Sequence, residues 1–222
     1  MFFSEPALVV NRGEAPTFAV IWLHGLGADG SDFVPVIGEL GLPATLSGRF
    51  IFPHAPWRAV TCNGGYEMRA WYDILALAPG RRQINEDDLA AACVAVQALI
   101  DAEIAAGIPA ERIILAGFSQ GGAVAYATAL RSPQALAGVA ALSTYLPLAI
   151  SGEPALRRDL ALFAAHGDAD DVVAPALGQA AYQQLCTHGV CSAEWHAYPM
   201  AHQVCLEEIR VLGQWLCRQL RA

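Results

Sequence analysis

The chain contains no lysine, and only 15% of its 222 residues are charged. Its 13 basic residues are all arginines, set against 21 acids, so the formal net charge is −8. No basic run exists to hold a polyanion, and nucleic-acid binding is not expected. An export signal is also missing. Met1–Phe2–Phe3–Ser4–Glu5–Pro6 has neither a basic stretch nor a long apolar core, so a cytoplasmic location is expected. The six cysteines form no C-x-x-C and no Cys/His grouping with zinc spacing. They read as mostly free, buried thiols, with Cys186 and Cys191 the first pair to check for a disulfide. Neither a metal nor a cofactor is expected. Two stretches lack formal charge, Ile113–Leu130 and Ser132–Gly152. Their length would suit a membrane span, but Ser119–Gln120–Gly121–Gly122 breaks the first, and Pro133, Gly138 and Pro147 break the second. Buried strands of a parallel sheet explain both, and no integral membrane segment is expected.

What is present is apolar: 55% of the residues, enough to exclude disorder. The length fits one large α/β domain spanning residues 1–222. Ala7–Val10 and Thr17–Leu23 read as strands joined by a turn at Asn11–Arg12–Gly13. A glycine-rich loop, His24–Gly30, follows, then a helix from about Ser31 to Leu40. Arg49–Pro53 reads as a third strand. His54 to Ile84 shows little periodicity but holds Trp57, Tyr66, Met68, Trp71 and Tyr72. A loop of this length inside a compact domain is usually functional or disordered, and its aromatics argue against disorder: they suit either a substrate-lining excursion or a loop that simply packs on the core. Asn85 caps a helix with Glu86, Asp87 and Asp88 in its first turn. Strands at 113–116, 138–143, 161–166 and 193–198 alternate with helices at 175–188 and 204–220. That alternation predicts a mostly parallel sheet with helices on both faces. Sites in such sheets lie at the carboxyl ends of the strands.

At one such end stands Gly117–Phe118–Ser119–Gln120–Gly121, between an apolar strand and a small-residue helix. Strand, G-x-S-x-G, helix is the context of a nucleophile elbow. A side chain at Gly117 or Gly121 would collide with the adjoining strand or helix. A serine hydroxyl needs a base within hydrogen-bond reach, and the base needs a group to hold its tautomer. The base is expected to be His202, on the loop after the last strand. The carboxylate is expected from the loop after Ala161–His166, which offers Asp168, Asp170 and Asp171. The order serine, acid, histidine is that of the α/β-hydrolases. Two backbone N–H groups should face the developing oxyanion, those of Gln120 and of Leu26 in His24–Gly25–Leu26–Gly27. The remaining histidines have bland readings: His24 and His166 bond locally, and His54 is structural.

Four motifs together resemble the phospholipase/carboxylesterase family of α/β-hydrolases. They are Leu23–His24–Gly25–Leu26–Gly27, Gly117–Phe118–Ser119–Gln120–Gly121–Gly122, His166–Gly167–Asp168–Ala169–Asp170 and Pro199–Met200–Ala201–His202. The family includes bacterial carboxylesterases and the acyl-protein thioesterases, and the 63–74 segment is most similar to the bacterial branch. The resemblance implies an α/β-hydrolase fold without a cap domain. It also selects the acid. The family pattern is H-G-x-x-D, often followed by proline, which places the acid at Asp170 and leaves Asp168 to shape the loop. Relatives are often dimeric, and the apolar richness permits a homodimer, although no stretch marks an interface.

The expected activity is that of a serine carboxylesterase cleaving short- to medium-chain carboxylic esters through an acyl-enzyme. Ser119, Asp170 and His202 would be catalytic, with Leu26 and Gln120 forming the oxyanion hole. Leu26, Met68 and Trp71 are expected to line the acyl side. The substrate would be a small-molecule or lipid ester. The same residues would serve acyl-protein thioester or lysophospholipid hydrolysis. A non-catalytic binding protein on a hydrolase scaffold would be expected to have lost a member of the triad, and all three are present.

Overall fold

The computed structural model describes residues 2–78, 81–148, 156–190 and 192–220. Its centre is a strand that is apolar on both faces, β2 (Ala19–Leu23), all five residues of which are buried. Continuous apolar strands of this kind need cover on both sides. The others that pair into its sheet are β1 (Leu8–Arg12), β3 (Gly48–Phe52), β8 (Ile113–Phe118), β9 (Gly138–Leu142), β10 (Ala161–Gly167) and β11 (Ser192–Tyr198). Among the described residues their order is β1-β3-β2-β8-β9-β10-β11, seven strands, with only β1 antiparallel to its neighbour.

The strand pleat sends alternate residues to two separate cores. Ile21, Leu23, Leu115, Val139 and Leu162 pack with α2 (Glu86–Ala105), α3 (Gln120–Ala129) and α4 (Pro175–His188). Val20, Trp22, Ile114, Ala140 and Phe163 face the other way. There they meet α5 (Leu206–Leu220), through Ile209, Leu212 and Trp215. Every residue of α3 is buried. Its Gly and Ala residues allow a helix that close to the sheet, which fixes the chain immediately after Ser119. Among the described residues, no helix is long and apolar enough to cross a membrane.

Three departures from the sequence reading have local causes. First, β1 and β2 do not pair with each other. β3 lies between them, with Leu8 opposite Phe52 and Ile51 beside Ile21. Second, the helix expected over 31–40 is divided. A 3₁₀ turn at Gly30–Phe33, capped by the Asp29 carboxylate, is followed after Pro35 by a single turn, α1 (Val36–Glu39). Proline has no N–H to continue a preceding helix. Third, the segment from His54 to Ile84 is not a loop but two antiparallel ribbons. β4 (Trp57–Val60) pairs with β5 (Tyr66–Arg69), and β6 (Ile74–Ala78) pairs with β7 (Arg81–Ile84). The first ribbon is short and largely solvent-facing, so it lacks an apolar alternation to announce it. Among the described residues, Cys62, Cys93, Cys186, Cys205 and Cys217 are free, and none is buried as the sequence suggested; Cys191, the other half of the pair to check, lies outside the described residues.

Candidate active site

The backbone sets the site before any side chain does. Between β8 and α3, Ser119 adopts φ 54° and ψ −118°. A non-glycine residue there is strained and must be held by its surroundings. Three bonds hold it. Its N–H donates to the Leu142 carbonyl at 2.9 Å, and its carbonyl accepts from Ala123 N–H at 3.2 Å. The Thr144 hydroxyl donates to the same carbonyl at 2.6 Å. The neighbouring glycines behave as the sequence predicts. A Cβ on Gly117 would stand 2.4 Å from the Gly121 carbonyl, and one on Gly121 would stand 2.3 Å from the Leu23 carbonyl.

The structure brings Ser119, His202 and Asp170 together. His202 Nε2 lies 3.0 Å from Ser119 Oγ, and His202 Nδ1 lies 2.7 Å from Asp170 Oδ2. A carboxylate can only accept, so Nδ1 carries the proton and Nε2 offers its lone pair to the serine. The Phe118 ring rests against the imidazole, centroids 4.7 Å apart. The Asp170 side chain is fully buried. Its Oδ1 accepts the backbone N–H groups of Val172 and Val173 at 2.9 and 2.8 Å. Asp168 and Asp171 are exposed, and Asp170 is the carboxylate that pairs with His202. The acid and base loops are strapped to one another. Asp168 N–H donates to Tyr198 O at 2.9 Å, and Ala169 N–H to Met200 O at 3.2 Å.

Two buried histidines brace this arrangement, and neither is confined to its immediate sequence neighbours. His166 Nε2 donates to Val173 O at 2.8 Å and stands 3.4 Å from Asp170 Oδ2. Burial holds its pKa below the usual histidine value, against the opposing pull of the Val173 bond and the Asp170 charge. His24 Nδ1 donates to Gly25 O at 2.7 Å, while its Nε2 accepts from Ala55 N–H at 3.0 Å. Burial lowers its pKa to about 4, so the ring stays neutral and keeps that donor and acceptor pattern.

Leu26 and Gln120 both face a cavity of about 670 Å³ that opens on Ser119 and His202. Gln120 begins α3, and an N–H in a helix's first turn has no acceptor one turn back. The Leu26 N–H has no hydrogen-bond acceptor among the described residues. The apolar wall is formed by Leu26, Phe33, Val36, Ile74, Leu77 and Val172. Cys62, Asn63, Arg82 and Tyr145 complete the rim on the ribbon side. Arg82 donates to the Val172 carbonyl and lies 5.2 Å over the Tyr145 ring.

Met68 and Trp71, expected on the acyl side, do not line this cavity. Trp71 is fully buried. Its indole N–H donates to His24 O at 2.8 Å, and its ring is stacked against Phe2 at 6.4 Å. Met68 lies behind the glycine loop, its sulfur accepting from Asn63 Nδ2 at 3.5 Å. Leu77, Val172, Thr144 and Arg82 were not singled out from sequence. No motif marks them, because each reaches the site only through a ribbon or loop whose path the sequence leaves open.

A mostly parallel sheet, with a strained serine at a strand-to-helix turn and a histidine and buried carboxylate behind it, defines a serine hydrolase of the α/β-hydrolase fold. Residues 4–218 match the phospholipase/carboxylesterase family, and the chain belongs to it. It is similar to acyl-protein thioesterase 1 of Mycosarcoma maydis, at 40% identity over 94% of this chain and 95% of that protein. It is also similar to carboxylesterase SOBER1 of Arabidopsis thaliana, at 36% identity over 93% of this chain and 92% of that one. The crystal structure of Zea mays acyl-protein thioesterase 2 superposes with a TM-score of 0.83 at 28% identity. That match covers 96% of this chain and 98% of the maize chain.

Proposed function

We propose that Ser119 is the nucleophile of an esterase that works through an acyl-enzyme. The observation that carries this reading is the continuous path from Ser119 Oγ to His202 Nε2 and from His202 Nδ1 to Asp170, at 3.0 and 2.7 Å. Ser119 Oγ attacks the acyl carbonyl as its proton passes to His202 Nε2. Asp170 holds the ring tautomer and stabilises the imidazolium. The backbone N–H groups of Leu26 and Gln120 take the oxyanion. His202 then returns the proton to the departing oxygen, and water repeats the sequence on the acyl-enzyme.

The substrates are short- to medium-chain carboxylic esters, with the acyl chain against Leu26, Ile74 and Leu77. Thioesters are a second reading with the same residues, favoured by the fungal and maize relatives, which are named acyl-protein thioesterases. Both pass through one tetrahedral oxyanion, so the difference is a matter of rates. A series of p-nitrophenyl esters, acyl thioesters and lysophospholipids, compared by kcat/KM, ranks them. Labelling of Ser119 by a fluorophosphonate, abolished in Ser119→Ala, tests the nucleophile itself. Wild-type turnover by Ser119→Ala would overturn the reading.

A further inference from the structure

In the reaction above, Gln120 acts only through its backbone N–H. Its side chain is nevertheless buried, 1% exposed, and both ends of the carboxamide are engaged. Oε1 accepts the Trp71 N–H at 2.8 Å, and Nε2 donates to the Tyr72 carbonyl at 2.8 Å. An amide buried this deeply must be paired, and here it pairs with the main chain of a distant segment rather than with its own helix. That segment reaches the other half of the oxyanion site. The Trp71 indole donates to the His24 carbonyl at 2.8 Å, and the Arg69 carbonyl accepts Gly27 N–H at 2.9 Å. Residues 69–72 therefore hold the glycine loop on both sides of Leu26. Gln120 in turn holds residues 71 and 72.

We propose that the Gln120 carboxamide is a positioning residue for oxyanion stabilisation: it locks the 69–72 strap, and through it the Leu26 N–H, relative to Gln120's own backbone N–H. The inference rests on the reading of Ser119 as nucleophile. Direct packing of Gly121 against the Leu23 and His24 carbonyls sets how closely the two backbones approach. That contact lies on the strand side of the loop and leaves the Leu26–Gly27 end to be fixed by the strap. One residue thus supplies one donor and orients the other. Geometric errors of about 1 Å at such a site cost about 10²-fold in rate.

The test compares Gln120→Leu and Gln120→Glu with the wild type, on protein normalised by active-site titration and assayed well below the unfolding temperature. Gln120→Leu removes both strap bonds. It is expected to lower kcat by about 10–100-fold with KM changed less than about twofold. The inhibition constant of a trifluoromethyl ketone, whose hemiketal oxygen occupies the oxyanion site, should rise by the factor that kcat/KM falls. Gln120→Glu is nearly isosteric and carries the test alone if the leucine variant does not fold. As a carboxylate it cannot donate to Tyr72 O. As a carboxylic acid its O–H donates there while its C=O accepts Trp71 N–H. The ratio of variant to wild-type kcat should therefore rise as pH falls. Unchanged kcat and ketone affinity, a rise in KM alone, or a ratio flat with pH would each overturn the proposal. Ser119→Ala in the same series separates the two ideas: if it retains turnover, the nucleophile assignment fails rather than the positioning role.

Discussion

The two walls of the cavity are built in different ways. On the wall carrying Asp170 and His202, each functional atom has a fixed partner. Asp170 alone holds two backbone N–H groups and the imidazole, with no exposed side-chain surface. On the ribbon wall, Leu77 is 59% exposed, and Leu77 and Ile74 line the cavity with side chains that carry no polar atom. The first wall tolerates one geometry, because the chemistry depends on distances of about 3 Å. The second tolerates many, because an apolar contact has no preferred direction. Changes on the first wall should abolish turnover for every substrate, and changes on the second should redistribute it among substrates.

The largest contrast is expected at Asp170. Asp170→Asn should lower kcat by about 10⁴-fold, through loss of the correct histidine tautomer. Asp168→Asn, in the same loop but exposed, should stay within about threefold because its side chain does not line the cavity. Steady-state kinetics on one p-nitrophenyl ester checks both. Next is Leu26→Pro, which removes a backbone donor that no side-chain deletion reaches. It should cost about 10²–10³ in kcat and leave Ser119 able to react slowly with a phosphonate. A loss below about fivefold would remove Leu26 from the oxyanion site.

A smaller effect separates the ribbon wall from the core behind it. Leu77→Ala should lower kcat/KM for an octanoyl ester by about tenfold, in keeping with about 1.5 kcal/mol of lost apolar contact, and leave the acetyl ester unaffected. Trp71→Ala should instead lower both esters alike and destabilise the fold by about 3–5 kcal/mol. Equal losses for the two esters in Leu77→Ala would remove it from the acyl wall.

The smallest effect concerns pH. Glu208 lies fully buried at the start of α5, its Oε2 accepting Cys205 N–H at 3.3 Å. Burial raises its pKa from 4.5 to about 8, against the lowering effect of that bond. Its contribution to stability is thus fully present below about 4.5 and is lost as pH rises through 8. His24, lowered from 6.5 to about 4, acts in the opposite direction, and its contribution is lost as pH falls through 4. Thermal unfolding midpoints should decline at both ends of pH 4 to 9. Glu208→Gln should flatten the alkaline decline by a few degrees and leave the acid one in place.

The same contrast explains what the sequence made legible. α4 begins at Pro175 and ends at His188 as expected, because proline suits a helix's first turn and Gly189 supplies a left-handed stop at φ 97°. That Ser119, Asp170 and His202 meet in space is legible because each follows a strand end, in a fixed chain order. Trp71 was misplaced because an aromatic residue in an unpatterned segment reads equally well as core or as lining. Only its indole bond to His24 O decides between them. β4 and β5 are not legible in the sequence because four-residue ribbons with little buried surface leave no period to detect. The Gln120 side-chain contacts are illegible for a different reason: its partners lie 48 and 49 residues away, on that same unpatterned segment.

Phe2 stacks on Trp71, Phe3 meets the same ring edge-on, and Glu5 pairs with Arg69 at 2.8 Å, so residues 2–5 rest directly on the strap that holds the glycine loop. An affinity tag fused before Phe2 would hang from that contact, two residues along the strap from the Arg69 carbonyl that binds Gly27 N–H. Kinetic constants for this enzyme should therefore be measured after such a tag has been removed, or with the tag carried at the other end of the chain.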